Sequence, residues 1–258
     1  MSLSLKDRIE SYQDITDYKS IGKIPMVICI NGRSFSKVTS MIAKPYSSEF
    51  AEAMAATTLK LCYEVDNAIF GYSFHDEIIL ILKNDNSSWY NNKIQKICSA
   101  TASLATLHFN NYISELNVKI IGDACFTSQV FNVPNNEEVI NALIYKQNQS
   151  YNQSINWACF YELLKNNFDR NEVKNLMSGL TNEEKIDLLK DNCNIDFKSY
   201  PKMFSYGLSC YKSPKIINST LKYKWCIDEN TPHFREDKSL LNNIINCGHD
   251  ILRTNSVL

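Results

Sequence analysis

The chain has almost no net charge: 27 Lys and Arg stand against 28 Asp and Glu in 258 residues, a formal charge of −1. A field so balanced does not gather polyanions over the whole molecule, so any RNA contact must come from a local patch or from the surfaces of an oligomer. Closely spaced thiols are also lacking. The nine cysteines, at positions 29, 62, 98, 125, 159, 193, 210, 226 and 247, include no Cys-x-x-Cys pair. That spacing argues against a zinc site, and the odd number argues against a secreted disulfide scaffold, so reduced core thiols are expected. Nor is there a long apolar run. The first ten residues, Met1-Ser-Leu-Ser-Leu-Lys-Asp-Arg-Ile-Glu10, carry no signal-peptide core, and no later segment approaches a membrane span. A soluble protein of a reducing compartment is expected, cytoplasmic, with a mitochondrial matrix reached without an obvious leader left open. Low complexity is missing too, since the Asn- and Gln-rich stretch from Tyr145 to Ile155 is short and mixed with apolar residues.

What is present is enough apolar material, 44% of residues, to bury a substantial core in one large domain or two small ones. Two stretches organise it. Met26 to Ile30 is an unbroken run ending in Asn31-Gly32-Arg33, which reads as a buried strand delivering polar groups at its C-terminal edge. Ala68 to Leu82 reads as a hairpin with His75-Asp76-Glu77 at its tip. If these strands are neighbours, Asn31, the Gly32 carbonyl and Asp76 or Glu77 converge, with Arg33 beside them. Hard oxygens of this kind suit Mg²⁺, which takes one or two carboxylates and completes its shell with water and substrate phosphates. Phosphoryl or nucleotidyl transfer asks little more of a protein than positioning and charge neutralisation. A plain polar turn that caps exposed backbone is the alternative.

Around these stretches the sequence predicts a charged lead-in helix over 5–17 that packs on the sheet, and a loop from Ser34 to Lys44. A helix follows from Ser47, with Phe50, Met54, Leu59, Leu61, Cys62 and Val65 broadly at helical spacing. A second helix, from about Trp89 to Leu116 after the 84–88 loop, is crowded with small residues that permit close packing. A fourth strand is placed at 123–133, giving a β-α-β-β-α-β order. Asn135 opens another helix, and Thr181 with Glu184 forms a capping-box signature. Two strands are placed on either side of Ser213-Pro214.

Asn31-Gly32-Arg33-Ser34-Phe35 resembles the Arg-Leu-Asp-Gly-Arg-x-Phe strand end of the tRNA(His) guanylyltransferase family, which includes related tRNA 5′-end repair polymerases. Gly71-Tyr-Ser-Phe-His-Asp-Glu77 resembles its Gly-x-x-x-Ser-Asp-Glu hairpin. Ala43-Lys-Pro-Tyr46 is similar to its Lys-Pro step, Phe126 to Pro134 to its Phe-Asp-Ala-Arg-Val-Phe-x-x-Pro strand, and 225–238 to its closing Asp-x-x-Thr-Pro-x-Phe motif. The resemblance implies an α+β fold: a palm-like, ferredoxin-type antiparallel sheet with helices on one face (1–134), followed by a helical and hairpin extension packed on it (135–258). It also implies 3′-to-5′ nucleotide addition at a tRNA 5′ end, with GTP and ATP as nucleotides, two Mg²⁺ ions and a homodimer or homotetramer. Carried over residue by residue, Asp76, Glu77 and Asn31 would be catalytic, and Asn31, Gly32 and Asp76 would hold metal. Asn31 to Ser36, Lys44, His75 and Asp76 would bind nucleotide, Ser34, Phe35 and Ser36 among them.

The departures from the pattern remove charge. Asn31 stands for the strand aspartate, Cys29 for its leading arginine, His75 for the hairpin serine, and Thr127 and Gln129 for an aspartate and an arginine. On the following helix Lys146 replaces an arginine and Gln149 an aspartate. Two functions of different class therefore stay open: a tRNA nucleotidyltransferase, or a catalytically silent relative that binds nucleotide, tRNA or a partner. A cyclic-nucleotide synthase, also built on a palm-type sheet, is disfavoured because the hairpin tip lacks that turn's glycine and acid pattern. His75 either meets triphosphate or metal or is a histidine satisfied at its turn, and Lys44 either contacts phosphate or is a solvated charge.

Overall fold

A computed structural model describes residues 4–83, 89–217 and 220–246. The helices are α1 (Leu5–Asp14), α2 (Phe35–Val38), α3 (Ser48–Glu64), α4 (Ile94–Glu115), α5 (Asn136–Lys165), α6 (Arg170–Met177), α7 (Asn182–Cys193), α8 (Lys202–Tyr206) and α9 (Ser239–Leu241). The strands are β1 (Met26–Gly32), β2 (Ala68–Phe74), β3 (Glu77–Leu82), β4 (Phe126–Asn132), β5 (Leu208–Ile217) and β6 (Thr220–Asp228). They form one antiparallel sheet in the order β4-β1-β3-β2-β5-β6. The first four strands with α3 and α4 give the expected β-α-β-β-α-β palm.

Strand alternation sends β1 to two cores. Met26, Ile28 and Ile30 join Ile78, Leu80 and Leu82 under α3 and α4, with Ile97, Thr101, Ala105, Phe109 and Ile113 of α4 buried at helical spacing. Val27 and Cys29 face the other way, with Phe70, Tyr72, Phe74, Ile79 and Ile81, against Val139, Ile140 and Leu143 of α5 and Phe234, Leu241 and Ile245 of the closing segment. The palm helices thus share one face and the extension covers the other. Further along α5, Ile155, Ala158, Cys159 and Leu163 carry α6, α7 and the segment before β5.

Caps set the helix starts. The Ser47 hydroxyl accepts from the Phe50 N–H, Asn135 caps α5, and Thr181 and Glu184 make the capping box read in the sequence. Buried Gln147 ties α5 to the closing segment: its amide nitrogen donates to the carbonyls of Pro232 (2.8 Å) and Tyr206 (3.2 Å), and its oxygen accepts from the Phe234 N–H (2.7 Å).

Several expectations are corrected. The lead-in helix does not pack on the sheet: α1 ends at Asp14, buries none of its residues, and leaves Leu5, Ile9 and Tyr12 exposed. The helix after the hairpin starts at Ile94 rather than Trp89, because Tyr90 and Asn91 adopt left-handed backbone (φ 51° and 52°) that a continuing helix cannot contain. The 84–88 loop lies outside the described residues. The Ser34–Lys44 segment contains α2, and the strand placed at 123–133 is limited to Phe126–Asn132. Ser213-Pro214 is no break: β5 runs through it, Pro214 facing Tyr223. Beyond Tyr211 β5 has lost its β2 neighbour, so a residue without an N–H is tolerated there. The eight described cysteines are free, but they are not all core residues: Cys125 is exposed, and Cys98, Cys193 and Cys226 are half-buried.

Candidate active site

The end of β1 and the β2–β3 turn meet. β1 pairs directly with β3, placing Asn31 opposite Glu77, and the Gly32 N–H donates to the Asp76 carbonyl at 2.9 Å. Gly32 has to be glycine because a Cβ there would overlap the Phe35 ring. That ring is locked in a cluster with Phe50, Phe109 and Phe126, centroids 4.9–6.2 Å apart, which fixes where the chain turns into α2.

These elements floor a cleft of about 440 Å³ between the α2–α3 segment and α5. Seven sequence candidates line it: Gly32, Ser34, Phe35, Ser36, Lys44, His75 and Asp76. Phe35 is nonetheless 4% exposed and belongs mainly to the core. Asn31, Arg33 and Glu77 are not on its wall. Arg33 is exposed, its N–H held by the Cys125 carbonyl at 2.7 Å. Residues that the sequence did not single out complete the cleft, notably Tyr46, Trp157, Tyr161 and Phe204. Tyr46 had a signal in the Lys-Pro-Tyr step, whereas Trp157 lies more than 80 positions beyond the hairpin tip and only folding brings it there.

Burial and neighbours set the charges. Desolvation raises the Asp76 carboxyl above the usual range, with nearby Glu77 adding to it and Lys44 opposing. Desolvation lowers Lys44, and Asp76 pulls it back. The Lys44 ammonium donates to the Thr39 hydroxyl at 3.2 Å and lies 5.9 Å from the Trp157 ring centre. His75, at φ 44° in the tight turn, packs on Trp157 at 4.3 Å. Its Nε2 donates to the Ser150 carbonyl at 3.3 Å, beside the Ser154 hydroxyl at 3.2 Å, and burial depresses its pKa to about 4. These contacts hold the His75 ring at the turn, where it lines the cleft beside Asp76.

Glu77 faces elsewhere. Its carboxylate accepts from the Lys146 ammonium on α5 at 2.8 Å. Register puts Asn31, Glu77 and Thr127 in one row across three strands, on the face of Cys29, and the Thr127 hydroxyl donates to the Asn31 carbonyl at 3.3 Å. Burial pushes the Cys29 thiol up to about 11, so it stays protonated. For metal, the donors match one ion better than two. Asp76 is the one carboxylate among the residues lining the cleft, Asn31 offers a neutral amide, and Glu77 is engaged by a lysine. Among the described residues no group of three or more His, Cys, Asp or Glu side chains is gathered for a metal ion.

A family model described as tRNAHis guanylyltransferase matches residues 6–134, half of the chain. The chain belongs to the tRNA(His) guanylyltransferase family. It is 25% identical over 209 residues to tRNA(His) guanylyltransferase 1 of Arabidopsis thaliana, a match covering 80% of this chain and 36% of that one. The chain thus spans about a third of that relative's length. A probable tRNA(His) guanylyltransferase of Dictyostelium discoideum is 25% identical over 196 residues, 73% of this chain and 75% of the relative. Among solved structures, a bacterial tRNA(His) guanylyltransferase-like protein in complex with ATP superposes with a TM-score of 0.81 at 27% identity, covering 94% of this chain and 99% of that one. The bacterial family protein in complex with GTP gives 0.74 at 25% identity, with the same coverage. The palm-like α+β fold is thus that of the guanylyltransferase family. Among the described residues no helix is long and apolar enough to cross a membrane.

Proposed function

We propose that this chain is a nucleotidyltransferase that adds nucleotides in the 3′-to-5′ direction to a tRNA 5′ end, taking GTP or ATP in the cleft. The observation that carries the reading is the Gly32-to-Asp76 hydrogen bond, which fixes the end of β1 against the turn on the floor of the cleft that Lys44 also lines. The ATP and GTP bound by the solved bacterial relatives support it. In this reading Lys44 and Arg33 attract the triphosphate, the Ser34 and Ser36 hydroxyls hydrogen-bond it, and Tyr46 and Trp157 flank the base. Asp76 and the Gly32 carbonyl would hold a Mg²⁺ that arrives with the substrate phosphates, the Asn31 amide standing off the cleft wall, and that ion would supply charge neutralisation during transfer. Glu77 stays in the acidic group as a partner of Lys146. Residues 1–134 act as the palm and 135–258 as the packed extension, in a homodimer or homotetramer that shares the tRNA.

Incubating purified protein with a 5′-truncated tRNA and labelled GTP tests the reading. Wild type is expected to transfer label, and Asp76→Ala to lose about 100-fold or more, the scale of removing a group that stabilises transition-state charge. The neutral Asn31 favours a second reading, a silent family member that binds nucleotide, tRNA or a partner. Transfer seen only in Asn31→Asp would establish that reading and end the first.

A further inference from the structure

The two-ion expectation and the side chains present disagree, and the disagreement is concentrated on one face of the sheet. Asn31, Glu77 and Thr127 form one row across β1, β3 and β4; Cys29, Ile79 and Gln129 form the next row on the same face. α5 brings Lys146 to this face, with Gln149 one turn on. Where the family pattern has charged groups, Asn31, Cys29, Thr127, Gln129 and Gln149 are all uncharged. What remains is a single pair, Glu77 with Lys146, at 2.8 Å and with side chains 27% and 21% exposed.

A divalent ion leaves water for a protein site only where oxygens and net negative charge repay its dehydration, and Mg²⁺ gives up water reluctantly. Two such ions about 3.5–4 Å apart also repel each other unless carboxylates stand between them. A row whose one carboxylate is already neutralised by an ammonium offers no such charge. We propose that this chain binds one divalent cation, carried to Asp76 by the nucleoside triphosphate, because the row that would face a second ion has lost its other carboxylates and the Lys146 ammonium neutralises the one left, Glu77. Lys146 is then a positioning residue that holds Glu77 and keeps the Asn31 row free of metal. The inference rests on the proposed nucleotide cleft for its first ion and on the Asn31 row alone for the missing second.

Manganese counting by electron paramagnetic resonance separates the two parts. Mn²⁺ is titrated into the full chain, first alone and then with excess protein over the α,β-methylene analogue of GTP. With the analogue, wild type is expected to hold one Mn²⁺ per bound nucleotide and Asn31→Asp two. Without nucleotide, Asn31→Asp and Lys146→Met are each expected to bind Mn²⁺ at least tenfold more tightly than wild type, the second because it frees the Glu77 carboxylate. A wild-type protein holding two ions, or a Lys146→Met protein whose Mn²⁺ affinity is unchanged, overturns the inference. Failure of the analogue to bind, with the variants still gaining Mn²⁺ on their own, would sink the nucleotide cleft and leave the missing second ion and the lysine's hold on Glu77 standing. Circular dichroism of each variant excludes loss of fold as the cause.

Discussion

His75 shows how one position can be marked in the sequence without its role being legible. Its place in the hairpin motif singled it out, but the groups that satisfy it, the Ser150 carbonyl and the Trp157 ring, lie about 80 residues downstream. Its imidazole titrates near 4 when folded against 6.5 ordinarily, so between those values the unfolded chain is the one that takes up the proton. Its contribution to stability is complete above about pH 6.5 and is lost as pH falls toward 4, up to roughly 3 kcal/mol. Asp76, raised by burial, acts in the opposite sense. The contrast between proteins is therefore the readout. Thermal melts from pH 7.5 to 4.5 are expected to fall more steeply for wild type than for His75→Asn, a residue that also tolerates the left-handed turn. Parallel slopes would mean that the ring is protonated or exposed in the folded chain.

At the scale of elements, α5 does more than cover the palm. The same helix supplies Lys146 to Glu77, Gln147 to the closing segment, Ser150 to His75 and Trp157 to the cleft wall. Gln147→Leu leaves the Phe234 N–H and the Pro232 carbonyl without their buried partner, at a cost of about 2–3 kcal/mol. Hydrogen exchange at the Phe234 amide is expected to accelerate well beyond that of the β1–β3 ladder. Equal acceleration across the sheet would show that the tie is not local. The palm elements were legible in the sequence because their signals are local. An unbroken apolar run marks β1, apolar runs around His75-Asp76-Glu77 mark the hairpin, and caps sit where Ser47, Asn135 and Thr181 stand. The misreadings have equally physical causes. Pro214 reads as a breaker unless one knows that its strand has outrun its neighbour, and α1 reads as a packing helix although none of its residues is buried. The Lys146–Glu77 and Gln147–Phe234 contacts join positions 69 and 87 apart, and no periodicity or spacing encodes such pairings.

For the whole molecule, the sheet joins regions from both halves of the sequence: β5 and β6 extend the palm beyond β2, and the cleft takes its floor from the first 80 residues and its far wall from α5 and α8. On the proposed reading, the near-zero net charge means that nucleotide would be held by placement of a few groups rather than by a general field. In the proposed reading the triphosphate is held between Asp76 and Lys44, whose ammonium lies 5.9 Å from the Trp157 ring centre. Trp157 fluorescence reads that directly, with the other two tryptophans, Trp89 and Trp225, replaced by Phe. Titration with GTP and Mg²⁺ is expected to quench it saturably, guanosine at least tenfold more weakly, and Lys44→Ala to weaken the GTP response by a similar factor. Guanosine matching GTP, or no quenching by either, would contradict a triphosphate site at the meeting of β1 and the β2–β3 turn.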